Sequence, residues 1–379
     1  MDGLKMTYKQ TQSFELSQAA LNNDLVDRNK FARYSANGNF NILGALALET
    51  KEVQTDDVNT FGALAGSNKY NGGVLAPNGV DIYAIPFGGT TTTVLKINTL
   101  NDTTTTFGSL GAISGKYSGG VLAPNGFIYF IPYSATSILK IDPTNDTITT
   151  FGSIAGTGKW YGAVLASNGF IYGIPYNSTS ILKIDPTTDT FTTFGNITGN
   201  NKFHGGVLSP NGIDIYCIPA NSTSILKINT NSDTITTFGD LGATILKWYG
   251  AVLAPNGFIY AIPHQSANIL KIDTATDTTK TFGSFAGNQK YAGCALAPNG
   301  FIYGIPFNST TTTVLKINPA TDTATTFGVL AGTAKWTGAV LASNGFIYGI
   351  PYDSTSILKL LSPIKNNIRF CLNRNFNKF

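Results

Sequence analysis

Charge is scarce in this chain: only 12% of its 379 residues are Asp, Glu, Lys or Arg, about half the usual share. The formal net charge of +4 resides at the C-terminus, where Lys365, Arg369, Arg374 and Lys378 stand without an acid. The centre of the chain is balanced, so no basic domain face for nucleic acid is expected. Cysteine is limited to Cys217, Cys294 and Cys371, at spacings that fit neither a zinc site nor a disulfide framework. Cys217 and Cys294 take positions held elsewhere in the chain by Gly, Ala or Phe, and read as small buried thiols. No apolar run reaches about 18 residues, which argues against a membrane-spanning helix. The first residues, MDGLKMTYKQTQSFELSQ, lack an apolar leader segment. A soluble, intracellular protein is expected. The Asn-x-Thr/Ser triplets at Asn177, Asn221 and Asn308 then read as loop composition rather than glycan sites.

What fills the chain is a cassette of about 44 residues, present seven times. Its cleanest copy is KWYGAVLASNGFIYGIPYNSTSILKIDPTTDTFTTFG, from Lys159 to Gly195. Four short strands are predicted in it: 162–166 (a), 170–174 (b), 180–184 (c) and 190–194 (d). Asn-Gly between a and b signals a two-residue hairpin. Asp-Pro-Thr-Thr-Asp between c and d supplies turn residues and a fixed φ. Pro175 ends strand b, as Pro86, Pro132, Pro219, Pro263, Pro306 and Pro351 do in the other copies, because proline cannot donate to a ladder. A four-stranded meander this small cannot bury its own faces. Seven of them stack radially as an all-β, seven-bladed β-propeller. The Gly-Gly, Gly-Ala or Gly-Cys pair in strand a suits the crowded channel, and the larger side chains of the outer strands fill the gaps between blades.

The seventh copy runs to strand c and then lacks a Thr-Phe-Gly strand, whereas Val53–Gly62 carries one before any strand a. The N-terminal segment is therefore expected to complete the last blade and leave no open edge. This divides the chain into an N-terminal extension (1–50), a propeller (51–361) and a basic, Asn-rich tail (362–379). Residues 13–34 suggest a helix, and the tail suggests disorder or a docking peptide.

The phrase Leu-Ala-Pro-Asn-Gly-Phe-Ile-Tyr, as at 122–129, resembles the a–b hairpin of NHL- and YVTN-type propeller repeats. More loosely it is similar to WD40 and tachylectin-like repeats, although the Trp-Asp ending of WD40 is missing. The resemblance covers about residues 53–361 and implies a platform for ligands or partners, on the face of the d–a and b–c loops; the fold alone does not name them.

Lysine use is uneven: of sixteen between residues 51 and 361, fourteen occupy two repeated positions, and no arginine occurs between Arg33 and Arg369. One set lies on strand c (Lys96, Lys140, Lys183, Lys227, Lys271, Lys316, Lys359) with Asp102, Asp146, Asp189, Asp233, Asp277 and Asp322 in the following turns. It reads as a repeated ion pair at the lower edge of the blades. The other set stands before strand a, each lysine followed by an aromatic: Lys69-Tyr70, Lys116-Tyr117, Lys159-Trp160, Lys202-Phe203, Lys247-Trp248, Lys290-Tyr291 and Lys335-Trp336. These pairs have no repeated acidic partner. Together with the b–c loop residues Phe87, Tyr133, Tyr176, His264, Phe307 and Tyr352, they are the candidate ligand or partner sites: an ammonium, an aromatic face and amide or hydroxyl groups in each blade. The expected role is a non-catalytic, multivalent platform for a protein or glycan, acidic ones included. A lectin with one weak site per blade is the first alternative.

A hydrolase or lactonase is the remaining alternative. Such chemistry needs convergent acids or histidines, and the only histidines, His204 and His264, are sixty residues apart. Each reads as a tolerated substitution. No copy departs from the repeat to build a distinct pocket, and no catalytic, metal or cofactor residues are assigned.

Overall fold

A computed structural model describes residues 56–361, apart from 309, 331, 333 and 334. The expectations for the N-terminal helix, the basic tail, Lys51 and Cys371 lie outside the described residues. Twenty-eight strands form seven four-stranded antiparallel sheets. Among the described residues there is no helix. Blade 3 shows the plan: strand a Trp160–Leu165, b Ile171–Pro175, c Ile181–Asp185 and d Thr190–Phe194, hydrogen-bonded in that order. Strand a of the other blades starts at Tyr70, Tyr117, Phe203, Trp248, Tyr291 and Trp336 (blades 1, 2, 4, 5, 6 and 7). Each strand a lies against strand a of the next blade, and blade 7 lies against blade 1. The protein is a seven-bladed β-propeller.

Burial grades outward. Strand b is buried almost throughout, for instance Ile171–Pro175, while strand d exposes three of its five residues, for instance Thr190–Phe194. The apolar clusters bridge neighbouring blades: Tyr129, Ile131 and Ile138 of blade 2 pack on Trp160, Ile171, Leu182 and Ile184 of blade 3. A single blade cannot bury both faces, so the core consists of the seams between blades.

Two local expectations are corrected. The a–b hairpin of blade 3 has a three-residue loop, one residue shorter than in blades 1 and 4: Ala166 N–H donates to Phe170 O, and Gly169 N–H to Ala166 O. Gly169 takes a φ of +84° there, as expected of a tight turn closed by a left-handed residue. The accompanying Asn168 accepts from Phe170 N–H, and its Nδ2 reaches across to the Thr230 carbonyl of blade 4. Asn-Gly thus serves the seam as well as the turn. Second, the aromatic after each lysine is not in the d–a connection but is the first residue of strand a, pairing with the proline that ends strand b, as in Trp160–Pro175.

The strand-c lysines pair one blade further along than their own turn. Lys140 Nζ lies 2.6 Å from Asp189 of blade 3, and Tyr129 Oη donates to the same carboxylate at 2.8 Å. Lys96–Asp146, Lys183–Asp233, Lys227–Asp277, Lys271–Asp322 and Lys359–Asp102 repeat this around the ring. The turn aspartates, Asp189 among them, have a φ between 52° and 57°, a region that Asp tolerates better than most residues. The seventh pair is Lys316 with Asp56, which precedes the strand Asp57–Phe61. That strand pairs with Ile357–Leu361 as the outer strand of blade 7, so the N-terminal segment closes the ring.

Candidate functional site

The Lys-aromatic pairs are structural in their geometry. Their lysines are between 1% and 5% exposed, and each ammonium is held by backbone carbonyls. Lys159 Nζ donates to Gly156 O at 2.6 Å in its own loop and to Ala135 O at 2.8 Å in the b–c loop of blade 2. Lys202 does the same with Gly199 and Ser178, and Lys247 uses Thr244. Lys69 and Lys290 hold Gly66 and Gly287, whereas Lys116 and Lys335 reach Gly88 and Thr311 of the preceding blades. Loss of water lowers the ammonium pKa of Lys159, Lys202 and Lys247 to about 8. The partner rings, Tyr70, Tyr117, Trp160, Phe203, Trp248, Tyr291 and Trp336, are at most 4% exposed. Trp160, Trp248 and Trp336 donate their indole N–H to carbonyls at the start of their own strand c. No ammonium and ring face stand together in solvent at these seven positions.

The surface that does face a cavity lies one residue further on. In six blades strand a carries a bulge between the aromatic and the next paired residue, as from Trp160 to Ala163 against strand b, and in blade 7 it falls between Thr337 and Ala339. A bulge leaves a residue unpaired and re-aims it; here it turns the residue after the aromatic into the central channel. Those residues are Asn71, Ser118, Tyr161, His204, Tyr249, Ala292 and Thr337, and all seven line one cavity of about 410 Å³. The glycine that follows is required twice over. Gly119 has a φ of +89°, and a Cβ on it would stand 2.3 Å from the Cα of Gly162.

Above this inner ring stand the residues after the strand-b prolines. Phe87, Tyr133 and Tyr176 contact one another in series, and so do His264, Phe307, Tyr352 and Phe87, with ring centroids 5.6–6.1 Å apart. The circle is interrupted at Ala220. There His204, Tyr249 and His264 form a stack, with centroids 3.3 Å apart for His204–Tyr249 and 3.8 Å for Tyr249–His264, and Tyr161 lies 3.5 Å from His204 with its ring tilted by 38°. Asn71 Nδ2, opposite, donates to Tyr161 Oη at 2.6 Å and to Ser118 Oγ at 3.2 Å. His264 Nδ1 bonds the Tyr291 carbonyl at 2.9 Å. His204 Nε2 is buried with no partner.

Burial sets the electrostatics. The pKa of His264 falls to about 4, and that of His204 well below its ordinary value, in each case mainly through desolvation. Both imidazoles are therefore neutral near pH 7. Burial raises the phenols of Tyr161, Tyr176 and Tyr249. The cavity is lined by no Asp, Glu, Lys or Arg among the described residues.

The two histidines, read from the sequence as unconnected substitutions, thus lie on opposite faces of Tyr249, and the repeat is broken in just this ring. The missed signal was in the sequence: the position two after each repeated lysine is the most varied of its neighbourhood. Only the bulge reveals that it faces the channel. Cys217 is buried as expected, while Cys294, in strand a of blade 6, is partly exposed.

Residues 165–300 match the model of a repeat of unknown function, DUF6923. No curated protein matches the sequence significantly. Among solved structures, virginiamycin B lyase from Staphylococcus aureus aligns with a TM-score of 0.69 over 81% of this chain and 100% of that one, at 14% identity. A streptogramin B lyase aligns at 0.68 over 81% and 97%, also at 14% identity. Hydrazine synthase from Kuenenia stuttgartiensis aligns at 0.61 over 80% and 98%, again at 14%. At that identity the likeness carries the propeller fold and nothing of the activity.

Proposed function

We propose that this protein is a non-catalytic binding propeller that seats one small ligand in the mouth of its channel. One observation carries the reading: the channel-facing ring departs from sevenfold repetition. Blades 3–5 supply an aromatic wall, Tyr161, His204 and Tyr249, and blades 6, 7, 1 and 2 supply Ala292, Thr337, Asn71 and Ser118, around a cavity of about 410 Å³. Ligand sites commonly enclose ~300–1,000 Å³, lined by aromatic groups with few polar ones. The neutral, carboxylate-free lining favours binding over acid–base chemistry, which needs a group poised to exchange protons. A single asymmetric site replaces the multivalent platform expected from the Lys-aromatic pairs, whose ammonium groups are engaged by carbonyls. Ligand-observed NMR with a mixture of aromatic fragments and methyl glycosides tests this. Binding weakened at least tenfold by Tyr249→Ala, with the fragments unchanged after long incubation, is the expected result. Binding indifferent to both Tyr249→Ala and Tyr161→Ala, or chemical conversion of a bound fragment, would overturn it.

A further inference from the structure

The rim of the channel mouth holds one residue that its backbone does not suit. The position before each repeated lysine has a positive φ in all six blades where it is described: Asn68, Gly115, Gly158, Asn201, Leu246 and Gln289, between 50° and 64°. Glycine enters this region freely, and Asn tolerates it better than most residues. A leucine there brings its Cβ too close to the following carbonyl oxygen. The loops hold Leu246 in that conformation: its N–H donates to Asn221 Oδ1 at 2.8 Å, and its carbonyl accepts from Gln265 N–H at 3.0 Å. The loop before blade 4 makes the equivalent bond, Asn201 N–H to Asn177 Oδ1 at 2.7 Å, with asparagine in the position. The turn itself therefore does not call for leucine.

The place of the side chain does. Of the six residues, only Leu246 and Gln289 line the cavity. Leu246 stands beside the break in the aromatic circle, since the adjacent Lys247 N–H donates to the Ala220 carbonyl at 3.0 Å. Ala220 is fully buried and is not part of the cavity lining, so Leu246 supplies apolar surface where the circle has no ring. It is partly buried, and its neighbour Ile245 is 55% exposed. An apolar path thus runs from Tyr249 over Leu246 to Ile245 outside the mouth. Gln289, the other rim residue, adds an uncharged amide. Backbone strain that the surroundings enforce is characteristic of residues whose side chain a site uses.

We propose that Leu246 is a specificity-determining residue of the channel-mouth site, which takes an uncharged molecule with a flat body against the tyrosine wall and an aliphatic substituent that leaves the mouth over Leu246 toward Ile245. This rests on the binding function proposed above and supplies its ligand class. A bare ring fills the inner part of the site only; each methylene added to it gains burial on Leu246.

The test is a homologous series on the full chain: phenol, 4-methylphenol, 4-ethylphenol and 4-propylphenol, by isothermal titration with wild type, Leu246→Asn and Tyr249→Ala. In the wild type the dissociation constant should fall about fourfold per added carbon, the ratio for one buried methylene. Leu246→Asn installs the residue that the same turn uses before blades 1 and 4. It should reduce the gain to less than about twofold per carbon and melt at or above the wild-type temperature, because the strain is relieved. A flat series in the wild type, with phenol binding lost in Tyr249→Ala, overturns the ligand class and keeps the site. A steep series that persists in Leu246→Asn overturns the role of the leucine and also keeps the site. Leu246→Asn melting below the wild type would assign the leucine to the fold and likewise overturn the proposal. Absence of any binding sensitive to Tyr249→Ala removes the site and this inference together.

Discussion

Buried lysines without a carboxylate partner are uncommon, because an isolated ammonium loses its hydration on burial. Here the carbonyls of two loops take the place of water. Lys159 binds Gly156 O and Ala135 O and so ties blade 3 to blade 2. Lys159→Met keeps the stem and removes the donor, leaving both carbonyls unpaired. A destabilisation on the order of 1–3 kcal/mol is expected, measurable by chemical denaturation. The pH dependence has a definite sign. Lys159, Lys202 and Lys247 titrate at about 8 in the fold, against 10.5 for a free lysine. Between those values the unfolded chain holds more protons than the native one, so stability rises with pH from about 8. It falls again above 10, where unfolded tyrosines ionise while the native Tyr176 and Tyr352 wait until about 12. Below pH 8 these lysines are protonated in both states and contribute no slope. Melting temperatures measured between pH 7 and 10 should climb, and less steeply in Lys159→Met; a flat or falling profile would contradict the desolvated ammonium. The repetition of these lysines was legible in the sequence. Their burial was not, because a lysine bound by backbone carbonyls leaves no partner residue in the sequence.

Two elements decide how blades meet. The first is the bulge in strand a, where glycine backbones approach across the seams. Gly119→Ala should cost on the order of 2–4 kcal/mol, since a Cβ would combine a φ of +89° with a 2.3 Å approach to Gly162. Gly169→Ala has a similar φ of +84° but no atom within 4 Å, and should cost only about 1–2 kcal/mol. Equal losses in denaturation midpoint would dismiss the role of crowding. The second element is the c–d turn. Asp189 is left-handed, with a φ of 54°, and accepts from both Tyr129 and Lys140. Asp189→Asn keeps the backbone preference and an acceptor, and should cost less than about 1 kcal/mol, as befits a partly exposed ion pair. Asp189→Ala loses all three and should cost about 1–2 kcal/mol more. Strand positions, terminal prolines and turns were readable from the cassette. The blade-to-blade offset of the Lys–Asp pairs was not, since six of the seven lysines have an equally placed aspartate in their own turn.

At the scale of the molecule, seven small sheets share one ring of seams, so stability belongs to the closed circle and not to any blade. The strand Asp57–Phe61 completes blade 7, and Asp56 receives Lys316 and Tyr303 of blade 6. Truncation through Phe61 should expose the edge of Ile357–Leu361, open the ring and yield aggregated or unfolded material on size exclusion. A soluble monomer with an unchanged melting point would refute closure by this strand. The near-identity of the blades makes one difference instructive. Residues 163–183 and 339–359 differ only at Asn177 and Asp353, and both side chains make the same bond, accepting a loop N–H from the next blade: Asn201 and Asn68 respectively.

The sequence by itself determined the number of blades, their four strands and the closing strand, because period, alternation and turn chemistry are local and were written seven times. Tertiary structure alone decided which repeated residues are scaffold and which face a cavity. The Lys-aromatic pairs that seemed most functional lie inside the seams, and the variable residue beside them lies in the channel. A one-residue bulge makes that choice, and its consequence depends on six other blades converging on the same axis.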